Sequence, residues 1–122
     1  GVWQYVNAGH PPGYVLGPDG GVRIHLAANT AAVGIARAEE RLAPGRIGLA
    51  PGEWILLLTD GILEAQAKDG EEFGEERVLE LARTARTRSA AEIIRALLDT
   101  AQRFGDPHSP RQDDMTAIVV KR

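Results

Sequence analysis

The unbroken apolar run Trp54-Ile55-Leu56-Leu57-Leu58 constrains the fold of this chain more than any other stretch. Five such residues without polar alternation suit a strand buried on both faces. The run stops at Thr59-Asp60-Gly61, where Gly61 permits a sharp turn or the close approach of a ligand to backbone. Asp60 therefore stands at the mouth of a rigid strand. Alone, an Asp-Gly pair after a strand reads as a turn. A second acidic site adds weight, because Asp113-Asp114 directly precedes another apolar strand, Thr116–Val120. Two carboxylate-bearing strand mouths in one small domain point to a shared, oxygen-rich metal site.

The chain has 122 residues, enough for one domain with a modest core. A net charge of −3 leaves no electrostatic footprint for nucleic acid. No apolar run is long enough to span a bilayer, so no membrane insertion is expected, and there is no signal-peptide pattern. Cysteine is absent, which removes disulfides, thiolate zinc sites and cysteine nucleophiles, and fits a cytoplasmic setting. The first residue is Gly1 and the sole methionine is Met115, while strand-like pattern begins at Val2. Residues upstream are therefore expected to belong to the same fold.

Along the chain, Val2–Val6 reads as a strand broken by Asn7–Gly13, with its two prolines and two glycines. Tyr14–Leu16, a turn at Gly17–Gly21 and the alternating Val22–Leu26 then continue what looks like an antiparallel meander. Residues 27–41 read as a loop, with further strand pattern at Arg41-Leu42 and Arg46–Leu49. After Gly61, residues 62–66 suit a helical turn. Glu75–Arg86 places Val78, Leu79, Ala82 and Ala85 on one helical face. Ser89-Ala90-Ala91-Glu92 matches a capping box, opening a helix that Gly105 and Pro107 close. Both helices are expected to pack outside a sheet.

Carboxylates at Asp60 and Asp113, with backbone accessible at Gly61, suit hard cations such as Mg²⁺ or Mn²⁺. Clustered carboxylates repel one another, and a cation relieves that repulsion. Water acidified by two metals about 4 Å apart serves phosphoryl transfer without any side-chain nucleophile. Asp113-Asp114 also has a plain reading as a solvated turn before a strand.

Four ordered motifs carry a resemblance. They are Asn7-Ala8-Gly9-His10-Pro11-Pro12, Thr59-Asp60-Gly61 with Glu64-Ala65, Phe73-Gly74-Glu75-Glu76-Arg77, and Gln112-Asp113-Asp114-Met115-Thr116. Together they resemble the C-terminal half of bacterial PPM-type serine/threonine phosphatases of the SpoIIE/RsbU branch, across essentially the whole chain. The resemblance implies an α+β fold, an αββα sandwich of antiparallel sheets with a binuclear Mn²⁺ or Mg²⁺ centre between them. Residues 1–122 would be the C-terminal portion of one such domain. It implies that Asp60, Gly61 and Asp113 serve the metals and that activated water, not a side chain, is the nucleophile. Asn7, His10 and Asp114 are accessory candidates. His10 stands where eukaryotic-type relatives carry an aspartate; it also reads as a hydrogen-bonded turn residue, and Asn7 as a turn holder.

The family's upstream Gly-Asp-x-x-Gly-x-Gly motif, whose aspartate bridges both metals, has no match in residues 1–59. The resemblance thus implies a fragment inactive by itself. Its substrate would be a phosphorylated bacterial regulatory protein of the anti-anti-sigma-factor type, and a homodimer is compatible with this reading. The competing expectation is a non-catalytic regulatory interaction domain that keeps the fold.

Overall fold

The computed structural model describes residues 2–32, 34, 44–109 and 113–122. In order these form β1 (Val2–Tyr5), β2 (Gly13–Leu16), β3 (Val22–Leu26), β4 (Gly45–Gly48), β5 (Trp54–Leu58), α1 (Asp60–Leu63), α2 (Gly74–Thr84), α3 (Ala90–Phe104) and β6 (Ala117–Lys121). One antiparallel sheet has the order β3-β2-β5-β6, and β1 and β4 form a second antiparallel sheet.

Strand β5 lies inside the larger sheet, as its composition predicts. Successive side chains of a strand point to opposite faces. Trp54, Leu56 and Leu58 accordingly join Tyr14, Leu16, Ile62, Val78, Ile93 and Leu97 in the core beneath the helices. Ile55 goes the other way, to Val15, Leu26, Ile47 and Leu49. The described residues thus stack as helices, four-stranded sheet and two-stranded sheet, an α+β arrangement. The outer helical layer on the far side of an αββα sandwich is not among them. Cover on that side is partial: Trp3, Tyr5, Ile47, Leu57, Ile118 and Val120 line an apolar cavity. At Trp3 and Ile118 the exposure reaches 44% and 49%.

Two expectations need correction. Residues 2–26 do not form one meander. β2 and β3 are a hairpin, closed by Gly17 N–H to Gly21 O and Gly20 N–H to Gly17 O. β1 instead pairs with β4. The proline-bearing segment 7–12 cannot continue a ladder and carries the chain from one sheet to the other. The helical turn also begins earlier than expected, at Asp60. Of the loop expected at 27–41, residues 27–32 and 34 are irregular; the rest, with the strand expected at Arg41-Leu42, lies outside the described residues. The pattern at 46–49 is β4.

In α3 the capping box forms as read. Glu92 N–H donates to Ser89 Oγ and Ser89 N–H donates to the Glu92 carboxylate. The hydrogen bonds from Ser89 hold the Glu92 carboxyl below its ordinary range. The Phe73–Arg77 motif proves to be a packing lock. Phe73 is buried edge-on against Phe104, and Arg77 covers that ring at 4.9 Å while bonding the Phe73 carbonyl.

Glu75 from the same motif reaches the sheet. Burial, and then the adjacent Glu75 carboxylate, push the Tyr14 phenol up to about 12. A phenol whose value is raised in the folded state binds its proton more tightly there than when unfolded. Its contribution is therefore complete below the unfolded value and is lost as pH rises through about 12. Stability is expected to fall between about pH 10 and 12, and Tyr14→Phe should flatten that decline in chemical denaturation at stepped pH.

Candidate metal centre

The residue register of β5 and β6 ends at Leu58 opposite Ala117. Beyond it, Thr59 keeps the two segments together. Its N–H donates to the Thr116 carbonyl at 3.0 Å, and its hydroxyl accepts from Thr116 N–H at 2.9 Å. The same hydroxyl donates to the Asp114 carbonyl at 3.0 Å. Gly61 is buried against this segment, where an added Cβ would lie 2.5 Å from the Asp114 carbonyl oxygen and 3.1 Å from that of Asp113. Residues 59–61 and 113–116 therefore share one sheet edge, although far apart in the chain.

Asp60 and Asp113 are both exposed at that edge. Asp60 Oδ1 accepts from Gly61 N–H at 3.0 Å, and Asp113 Oδ1 accepts from Asp114 N–H at 2.8 Å. No ion pair among the described residues involves Asp60, Asp113 or Asp114. The donors gathered here are carboxylate and carbonyl oxygens, and the lack of a Cβ at Gly61 lets the Asp113-Asp114 backbone approach this closely. In kind this set fits a hard divalent cation. In number it is small: no group of three or more His, Asp or Glu side chains suited to a metal occurs among the described residues.

The accessory candidates separate. Asn7 is buried and holds its turn, donating from Nδ2 to the Leu26 carbonyl and accepting His10 N–H at Oδ1. That is the turn-holding alternative read from sequence. The exposed His10 ring places Nδ1 2.9 Å from the Pro11 carbonyl. Both residues line the apolar cavity with Thr59 and Thr116, whereas Gly61, Asp113 and Asp114 line a polar hollow with Gln66 and Gln102. Asp114 enters the arrangement through its carbonyl. Sequence reasoning gave Thr59 no role of its own; its only written signal is a hydroxyl at the end of β5.

This architecture is similar to that of solved phosphatase domains. The PP2C domain of SiaA from Pseudomonas aeruginosa aligns over 91% of this chain and 42% of that one, at 25% identity and a TM-score of 0.70. The PP2C phosphatase domain of SpoIIE from Bacillus subtilis aligns over 99% of this chain and 34% of that one, at 21% identity and a TM-score of 0.76. The fold is therefore that of a PP2C, or PPM-type, phosphatase domain. The family model for Stage II sporulation protein E (SpoIIE) matches residues 1–122, and the chain belongs to that family. Protein IcfG of Synechocystis sp. is 30% identical over 122 residues, which are all of this chain and 19% of that protein. The chain thus spans less than half the length of each of these relatives.

Proposed function

We propose that this chain supplies part of a metal-dependent protein serine/threonine phosphatase domain acting on a phosphorylated bacterial regulatory protein of the anti-anti-sigma-factor type, in the cytoplasm. The observation that carries this reading is the shared edge, where Thr59 and Gly61 hold the Asp60 and Asp113 segments in contact. Asp60, Asp113 and the backbone at Gly61 would hold Mn²⁺ or Mg²⁺, as two ions in the complete centre. When bound, such ions would neutralise the carboxylates and would supply water acidified for attack on a phosphate ester. The chain's own part is to orient Asp60 and Asp113 and to close the edge behind them. Asn7 shapes the neighbouring turn, and His10 stands at the rim of the adjoining cavity. No helix among the described residues is long and apolar enough to cross a membrane.

A non-catalytic regulatory domain retaining the fold is the second reading. It is favoured by the small number of ligating side chains among the described residues. Two assays separate the readings. The natural gene product carrying these residues is expected to release phosphate from a phosphoserine peptide with Mn²⁺ and to stop on chelation. Absence of turnover with folded protein and saturating Mn²⁺ would favour the regulatory reading. Residues 1–122 by themselves are expected to show no turnover and a Kd for Mn²⁺ of about 10⁻⁴ M or weaker by calorimetry, since affinity follows ligand charge and number.

A further inference from the structure

We propose that Thr59 is a positioning residue for the metal centre, its hydroxyl fixing the Asp113-Asp114 segment against Asp60. The inference rests on the phosphatase reading above and deepens it.

At Thr59 the chain must leave β5 and begin α1 at once. In an antiparallel ladder, Thr59 and Thr116 would exchange two backbone bonds. Only one forms, from Thr59 N–H to the Thr116 carbonyl. The Thr59 carbonyl is taken by α1, accepting Ile62 N–H at 3.2 Å. Thr116 N–H would then lack its partner, and the Thr59 hydroxyl takes the place of the lost carbonyl at 2.9 Å.

A hydroxyl has one proton to give as well as lone pairs to offer. Thr59 gives that proton to the Asp114 carbonyl at 3.0 Å, extending the contact two residues past Thr116. Thr59 is the N-cap residue of α1, yet its side chain makes no capping bond to the helix. The hydroxyl is committed to the opposite segment. Asp60 follows Thr59 directly and Asp113 precedes Asp114, so this one group links the sequence neighbours of the two carboxylate-bearing residues. Valine matches the shape of threonine but can make neither bond, whereas serine can make both.

The test uses nuclear magnetic resonance on residues 1–122 as wild type, Thr59→Val and Thr59→Ser. It reads hydrogen exchange at the Thr116 amide and Mn²⁺-induced broadening of the amide signals of Asp60, Gly61, Asp113 and Asp114, with Mg²⁺ as the diamagnetic control. In wild type both segments are expected to broaden together. Thr59→Val should need about 10-fold more Mn²⁺ for the same broadening, the scale on which outer-shell partners act, while Thr59→Ser stays near wild type. A Thr59→Val protein that loses Thr116 protection but keeps the wild-type Mn²⁺ midpoint would overturn the positioning role and leave the phosphatase reading standing. No broadening of either segment in wild type at Mn²⁺ well above the calorimetric Kd would instead remove the metal reading, and this inference with it. Should Thr59→Val fail to fold, wild type and Thr59→Ser still decide. An unprotected Thr116 amide in wild type, or a Thr59→Ser protein that loses the joint response, overturns the proposal.

Discussion

Asp60→Asn or Asp113→Asn in the natural gene product is expected to lower Mn²⁺-dependent phosphate release by more than about 100-fold, exceeding what loss of an outer-shell partner costs. Asparagine keeps the size and one carbonyl oxygen but removes the charge that a hard cation requires. The fold should survive, because both side chains are exposed and neither forms an ion pair among the described residues. Without metal, neutralising one of the carboxylates at this sheet edge lowers its negative charge and leaves no partner behind, so thermal stability in chelator should hold or rise. Both quantities come from one preparation, as kcat/KM against Mn²⁺ and a melting curve in EDTA. Wild-type turnover at saturating Mn²⁺ would remove that residue from the mechanism.

Gly61→Ala should cost about 1–3 kcal/mol of stability, the usual range for overpacking a well-filled site. The added methyl would meet backbone of Asp113 and Asp114 rather than a side chain that could swing aside. Relief therefore requires the two segments to part, so the same substitution should weaken metal binding. Gly48→Ala is the control: among the described residues no atom lies within 4 Å of its added Cβ, and it should be close to neutral. A shift of the urea midpoint at unchanged slope for Gly61→Ala alone would bear this out. Equal midpoints for the two variants would show that the contact yields freely.

Much of the fold was legible because certain patterns have a single physical explanation. The unalternating run at 54–58 needs cover on both faces, and the cores on either side of β5 supply it. Ser89 with Glu92 needs a helix to begin at 90, and α3 does. Strand partnership was less legible: β1 has the alternation of a strand, but nothing within Val2–Val6 states that its neighbour is β4 rather than β2. A register irregularity in the hairpin was likewise invisible. It leaves Arg23 unpaired between Val22 and Ile24, which turns Val22 toward the helices and Ile24 toward the other sheet.

At the site, the two acidic segments stood out by their place against apolar strands, and the structure brings their backbones into contact. The role of Thr59 was hidden for a different reason. A hydroxyl bonding a residue 57 positions away leaves no periodic trace in the chain that carries it. Glu75 was masked by its motif. It reads as one of two acids in a helical first turn, and only the sheet packing brings it to Tyr14.

The neighbours β5 and β6 are separated in sequence by α1, α2 and α3. Closing so long a loop carries an entropic cost that local elements avoid, so the β2–β3 hairpin and the α2–α3 pair should mature before β6 docks. Among the described elements, the sheet edge holding Asp60 and Asp113 is then one of the last to form. A chain still being synthesised displays Asp60 without Asp113 until the segment leading into β6 has been made.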